Sequence, residues 1–206
     1  MFIDRRQAGT LLAQKLLSYR GKAVCILGLV HGGVAVAKSI ADDLNLPLDV
    51  LVVKKIGAPG QEELAVGALA PDGVSYIDWR LVQRLGVDED FIHHAIRVQQ
   101  LIISERTRVY RKGRKPYAFR EKIVILVDDG AATGATIEVA IQWVRKKHAK
   151  SIVVALPVIP KEVIPKIVPE VAELVLIETP EKFSAVGQFY KDFGQISDEE
   201  VVELLK

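Results

Sequence analysis

Residues 123–137 constrain the fold more than any other stretch of this chain. They read Ile-Val-Ile-Leu-Val-Asp-Asp-Gly-Ala-Ala-Thr-Gly-Ala-Thr-Ile. Five apolar residues in a row, ended by a turn signal, predict a strand buried on both faces. Such strands belong to parallel sheets covered by helices, and open sheets of that kind take their ligands beyond the carboxyl ends of the strands. Asp128 and Asp129 stand at that end. The loop that follows, Gly130, Ala131, Ala132, Thr133, Gly134, Ala135 and Thr136, has no large side chain to keep a phosphate off the backbone amides. A helix is predicted next, with Ile137, Ala140, Ile141 and Val144 on one face. The loop amides would therefore meet an anion at a helix N-terminus, where the helix dipole favours negative charge. Thr133 and Thr136 add hydroxyl donors. The two carboxylates are wrong for gripping phosphate and right for accepting hydrogen bonds from a sugar diol. Asp-Asp-Gly alone would also suit a plain strand–turn–helix connection. That reading does not account for two threonines and two glycines framing a loop free of bulk.

The rest of the chain alternates in the same way. Ala8, Leu11, Leu12, Leu16 and Tyr19 recur at helical spacing and predict a helix over 5–19. Ala23 to Leu27 read as a buried strand. Ala37, Ile40, Ala41 and Leu44 mark a helix, and Leu48 to Val53 the next strand. Ala65 to Ala70 and Val74 to Ile77, separated by Pro71-Asp72-Gly73, predict a hairpin. A long helix is expected from Asp88 to Lys112, with Phe91, Ala95, Val98 and Ile102 on one face. Ile152 to Leu156 and Leu174 to Ile177 are two more strands, with Pro160, Pro165 and Pro169 breaking the helix between them. Asp198 to Leu205 is a last helix with Ser197 as its N-cap. Strands separated by helices imply an α/β fold, an open, mostly parallel sheet with helices on both faces. A chain of 206 residues suits one domain over 1–206, with the aperiodic segment 179–195 as a small hood over a site.

Composition excludes several classes. Half the residues are hydrophobic, which argues against disorder, and a net charge of +2 gives no electrostatic case for a nucleic-acid partner. The one cysteine, Cys25, lies in an apolar run and reads as a small buried hydrophobe. No run approaches the ~20 apolar residues of a membrane span, and the N-terminus lacks the apolar region of a signal peptide. A cytoplasmic compartment is the expectation, with no membrane partner. His93, His94 and His148 stand at no metal-ligand spacing. Neither Gly-x-x-x-x-Gly-Lys-[Ser/Thr] nor Gly-x-Gly-x-x-Gly occurs, so kinase and dehydrogenase readings have no support.

The segment 123–137 resembles the 5-phosphoribosyl 1-pyrophosphate (PRPP) motif of the type I phosphoribosyltransferases. The likeness covers nearly the whole chain. Phe-Ile-Asp-Arg-Arg-Gln-Ala-Gly at the start, Lys-Lys-Ile-Gly-Ala-Pro-Gly, Glu-Leu-Ala-Val-Gly-Ala and the Ala-Val-Gly-Gln-Phe-Tyr tail resemble a group of predicted prokaryotic phosphoribosyltransferases. By that resemblance Asp128 and Asp129 hold the ribose hydroxyls, and Ala131 to Thr136 hold the 5′-phosphate. The implied reaction displaces pyrophosphate from C1 of PRPP by a nitrogen nucleophile of a small-molecule, nucleobase-like acceptor. Mg²⁺ is the implied cofactor, held mainly by PRPP and through water by Asp128 or Asp129. A homodimer is a further implication. The identity of the acceptor is not legible in the chain.

Other segments fit the same picture. The first strand runs into Gly28-Leu29-Val30-His31-Gly32-Gly33. In the family the corresponding loop cradles pyrophosphate, and an arginine usually precedes the glycine pair. Here Gly28, His31, Gly32 and Gly33 would do so, and a histidine cannot form arginine's bidentate fork. A glycine-rich turn with an exposed histidine is the competing reading. Lys54 and Lys55 follow the second strand and could neutralise pyrophosphate, with Lys55 at the reacting centre. The glycines and proline of their segment, 54–64, suit a mobile loop, and in the family a loop after this strand closes over the reacting centre. A solvated turn explains either lysine taken alone equally well, and Glu62 and Glu63 are carboxylates of a kind common on any surface. Residues 105–122 carry eight cations against Glu105 and Glu121, a local +6. They read first as a solvated helix end and loop, second as an anion- or nucleic-acid-binding segment. Phe183, Phe189, Tyr190 and Phe193 offer a base a stacking surface or simply anchor the tail. The alternative function is a PRPP- or nucleotide-sensing regulator on this fold, motivated by His31 and the +6 segment.

Overall fold

The structure is a computed structural model that describes residues 1–115 and 117–206; the side chains of Glu62 and Glu63, named above as carboxylates that could face a substrate, lie outside the described residues. Five parallel strands form the main sheet in the order β2-β1-β6-β7-β8: β1 Val24–Leu29, β2 Leu48–Leu51, β6 Ile123–Val127, β7 Ser151–Val158 and β8 Glu173–Glu178. Every residue of β1 is buried, as are four of five in β6 and seven of eight in β7. That is the continuous apolar run demanded by a sheet covered on both faces.

One face packs against α1, Arg5–Lys15, and α2, Gly32–Leu44, through Leu12, Leu16, Ile40 and Leu44 against Ile26, Ile125 and Val153. The other packs against α5, Ala135–Lys146, through Ile137, Ile141 and Val144 against Leu27, Leu126 and Val154. Trp143 anchors this side, edge-on to Tyr117 with ring centroids 4.7 Å apart. The expected helix over 5–19 stops at Lys15 and tightens into a 3₁₀ turn at Leu17–Tyr19.

A second, antiparallel sheet holds β3 Lys54–Ala58, β4 Gln61–Leu69 and β5 Ser75–Ile77. The β4–β5 hairpin matches expectation. The segment 54–64 does not: it is a paired hairpin, turning at Pro59-Gly60 with Gly60 at φ 70°. Glycines and a proline suggested an open loop, but Ile56 and Ala58 alternate with Lys55 and Gly57, and that period-two pattern buries the first pair. Beneath this sheet lie α3, Trp79–Arg84, α4, Glu89–Tyr110, and α7, Asp198–Leu204. The sequence reading missed α3, whose start is signalled by Asp78 accepting from the Leu81 amide at 3.0 Å. Between β7 and β8 the chain makes a broken helix, α6 Ile164–Ile167 flanked by 3₁₀ turns, as the three prolines require. Ser197 caps α7 through a reciprocal box with Glu200, at 3.1 and 2.7 Å.

Candidate active site

The strand order reverses between β1 and β6, and both loops of interest leave the sheet there. This is the switch point at which open α/β sheets form a crevice. After β1 the chain turns through His31 into α2. After β6 it passes Asp128 and Asp129 and turns through 130–134 into α5. A Cβ on Gly33 would stand 2.6 Å from the Val127 carbonyl and 2.8 Å from Asp128 Cα. One on Gly32 would stand 1.8 Å from Asp129 Oδ2. The glycine pair is what lets the first loop lie against the acidic pair. Gly28 has a third such role: its missing Cβ would meet Val34 Cα at 2.8 Å, where α2 folds back on β1.

Both loops end in helix N-termini with free donors. Among the described residues, the amides of His31, Gly32 and Gly33 have no acceptor within the protein. The same holds for Ala132, Thr133, Gly134 and Thr136, while Ala131 donates to Val158 and Ala135 leans on Thr133 Oγ1. Ala132 and Thr133 are exposed; Ala131, Gly134 and Ala135 are buried. Gly134 is the α5 N-cap at φ 83°, a left-handed conformation that suits glycine.

The carboxylates differ in their surroundings. Asp128 accepts from the Asp129 amide at 2.9 Å and has no ion-pair partner among the described residues. Burial, and then the adjacent Asp129 charge, push its carboxyl well above the usual range. Burial also raises Asp129, but Arg5 opposes the shift: Arg5 Nε donates to Asp129 Oδ2 at 2.8 Å. The Lys55 ammonium favours the ionised form of both. Half-buried carboxyls of raised pKa, facing a crevice lined by free amides, are arranged to receive polar ligand groups.

A family model for the phosphoribosyl transferase domain matches residues 4–167. The chain belongs to this family. It is similar to a provisionally named phosphoribosyl transferase of Mycobacterium tuberculosis H37Rv, Rv0571c, at 42% identity over 205 residues. All of the chain is covered in that match but only 46% of the relative, so the chain spans about half the length of the curated relatives it matches. Among solved structures, TT1426 from Thermus thermophilus is 38% identical with a TM-score of 0.81, over 100% of this chain and 97% of that one. A purine phosphoribosyltransferase from Pyrococcus horikoshii Ot3, at 22% identity and TM-score 0.50 over 94% and 92%, shares the fold.

Several residues of this phosphoribosyl transferase domain escaped the sequence reading. Arg5 is one. Asp4 caps α1 by accepting from Gln7 at 2.7 Å, and so fixes Arg5 in the first turn, aimed at Asp129. Arg5 also donates to the Gly194 carbonyl at 2.8 Å and lies 3.9 Å over the Phe193 ring. Tyr190 donates to the Asp129 carbonyl at 2.6 Å. The segment 179–195 is thus pinned to the acidic pair by Arg5 and Tyr190. Arg5→Gln is expected to cost about 2–4 kcal/mol, because it strips a half-buried carboxylate of its cation; urea unfolding that shows a loss below ~0.5 kcal/mol would contradict this role.

The second missed group surrounds His31. Its Nε2 donates to Asp198 Oδ1 at 2.8 Å, and Tyr110 donates to the same oxygen at 2.5 Å. Arg106 is 3.7 Å from the other oxygen. The Tyr110 bond, and then His31 and Arg106, hold Asp198 below the usual carboxylate range. Lys54 belongs here as well: burial, and then Arg106, lower its pKa. His31 is therefore engaged by α7 rather than free in a turn. No spacing in the sequence joins residues 31, 54, 106, 110 and 198.

The basic segment resolves largely into scaffold. Arg111 makes a two-point contact with Asp49 at 2.9 and 2.8 Å and stacks 3.5 Å over Tyr117. Arg114 donates to the Leu48 and Leu205 carbonyls. Cys25 is buried, its thiol pushed up to about 11, chiefly by burial. Among the described residues no group of three or more His, Cys, Asp or Glu could hold a metal, and no helix is long and apolar enough to cross a membrane.

Proposed function

We propose that this chain transfers the 5-phosphoribosyl group of PRPP to a nitrogen nucleophile, such as a nucleobase-like acceptor, and releases pyrophosphate. The observation that carries the reading is the meeting of Asp128 and Asp129 with two helix N-termini whose amides are free. Asp128 and Asp129 accept hydrogen bonds from the ribose hydroxyls and orient the ring as positive charge builds at C1. The amides of Ala131 to Thr136 receive the 5′-phosphate, aided by the Thr133 and Thr136 hydroxyls. The amides of His31, Gly32 and Gly33, on a loop that starts at Gly28, receive the pyrophosphate. Lys55 and Lys54 neutralise charge that grows on the leaving group, which is where stabilisation helps most. Attack of the acceptor nitrogen on C1 breaks the C1–O bond, and the bonding pair leaves with pyrophosphate.

The donor set fits Mg²⁺. Asp128, an uncompensated hard-oxygen ligand in a buried place, and Asp129 would hold it through water, with substrate oxygens completing the shell. When bound, it would neutralise pyrophosphate charge. The segment 179–195, tied to Asp129, would serve as the hood of a single domain over 1–206.

His31 favours a second reading, a PRPP- or nucleotide-sensing regulator, because Asp198 competes for the donor that would otherwise face the pyrophosphate. Pyrophosphate release from PRPP, measured with Mg²⁺ and a panel of purine, pyrimidine and pyridine acceptors, separates the two. Acceptor-dependent release supports the transferase. PRPP binding by calorimetry without release supports the sensor, and neither binding nor release would sink both.

A further inference from the structure

His31 stands where α2 begins, and its ring is held by two elements outside the main sheet. Nε2 lies 2.8 Å from Asp198 Oδ1, at the start of α7, and 3.3 Å from the Tyr110 hydroxyl, at the end of α4. Tyr110 donates to the same Asp198 oxygen. That bond, and then His31 and Arg106, keep Asp198 below the usual carboxylate range, so it is ionised at neutral pH. A carboxylate can only accept, and the proton of a neutral His31 therefore sits on Nε2. Nδ1 is then a bare lone pair. Among the described residues it has no hydrogen-bond partner. Nδ1 is attached to Cγ, one bond nearer the backbone than Nε2, and so lies nearer the free His31 amide. The cluster also holds Glu199 on α7, Arg106 on α4 and Lys54 on β3. Across the loop, Arg5 and Asp129 approach Gly32 rather than His31.

An anion arriving on this loop meets a repulsive lone pair unless Nδ1 carries a proton. We propose that Asp198 is a positioning residue: by holding the Nε2–H of His31, it makes the first loop accept pyrophosphate together with a proton taken up at Nδ1. The imidazolium then donates at both nitrogens, to Asp198 and to the anion. The proton comes from solvent and returns there when pyrophosphate leaves, so product release and deprotonation are one event. The inference rests on the reading that this loop receives pyrophosphate. Linkage makes it measurable, because a ligand whose binding takes up a proton is held more weakly as pH rises.

Calorimetry with inorganic pyrophosphate, run in two buffers of different ionisation enthalpy, counts the protons and needs no turnover. At pH 7.5, about one unit above the ordinary histidine pKa, the wild type should take up roughly 0.5–1 proton more than His31→Arg. That variant shares the ligand's own titration but carries a fixed charge. His31→Gln, with no titratable group, should match His31→Arg in proton count. Wild-type affinity, relative to His31→Arg, should also fall between pH 7 and 8.5, by up to about tenfold per unit. Asp198→Asn should still bind but lose the extra proton, since its amide can donate to Nε2 and leave a neutral His31 with Nδ1–H. A merely structural role for Asp198 would change the affinity and leave the proton count as in the wild type; that result would overturn the proposal. So would equal counts in the wild type and His31→Arg, with pyrophosphate binding itself still standing. No pyrophosphate binding at any pH from 6 to 8.5 would instead remove the reading of the first loop, and the proposal with it.

Discussion

Replacing Asp128 with Asn is expected to weaken PRPP binding at least ~10-fold and, in the same protein, to raise the melting temperature of the ligand-free state. The two effects share one cause. The Asp128 carboxyl is pushed well above its ordinary range by burial and by Asp129. A group whose folded pKa is raised contributes stability that is complete below the unfolded pKa of about 3.9 and is lost as pH climbs through the folded value. At neutral pH the empty site therefore costs the fold stability. Asparagine keeps an acceptor for the Asp129 amide without the charge. A rise of about 2–4 °C is expected at pH 7, the span that ~1 kcal/mol moves a domain of this size. The gain should shrink toward pH 4. Asp129→Asn should gain less, because Asp129 is raised by burial as well but the substitution also costs Arg5 its 2.8 Å partner. On the proposed roles both variants lose charge-assisted hydrogen bonds to the ribose, each worth about 1.5–3 kcal/mol, so the double variant should lose at least ~100-fold in PRPP affinity. Calorimetry with PRPP, paired with melting curves from pH 4 to 8, reads both. Retained affinity in the double variant would refute the assigned roles; a fall in melting temperature for Asp128→Asn would refute the strain argument.

Such a site was legible wherever its parts lie close together in sequence. The strand at 123–127, the acidic pair and the small-residue loop are consecutive, and each declares itself by residue type. Gly32 and Gly33 were legible as a loop that lets a ligand approach; what could not be read is that their missing side chains make room for Asp128 and Asp129. Tyr190 was legible as an anchor of the tail, but Arg5 and Asp198 were illegible for the same reason. Each reaches the site across more than 60 residues of chain, and an arginine near an N-terminus or an aspartate opening a short helix is ordinary as sequence. The hairpin at 54–64 failed differently. Its glycines and proline point to an open loop, but the short alternation decides, and Lys54 and Lys55 stand on a paired strand. In α4 the apolar face was visible, but periodicity cannot say whether such a face meets the core or something outside it; there, residues one position along form the core face.

Gly33→Ala is expected to damage function far more than an added methyl usually does. Most glycine-to-alanine changes in a helix's first turn are mild or stabilising, because alanine has the better helix propensity. Gly33 is the second residue of α2, so propensity alone predicts a gain. The space says otherwise. The added Cβ would lie 2.6 Å from the Val127 carbonyl oxygen and 2.8 Å from Asp128 Cα, and both are backbone atoms at the end of a central strand that cannot rotate away. Relief requires α2 to move off β6, which opens the contact between the two loops. An overpacking cost of about 1–3 kcal/mol follows. On the proposed roles the functional loss should be larger than that cost suggests, since a shift of ~1 Å between the first-loop amides and the acidic pair misaligns both ends of one substrate. A fall in kcat/KM of at least ~100-fold is expected, with the protein still folded at 25 °C. Gly194→Ala is the matched control: its Cβ would meet only Asp192 Oδ1, at 3.7 Å, an ordinary contact. Equal behaviour of the two variants would mean that the approach of the first loop to Asp128 is not what builds the site.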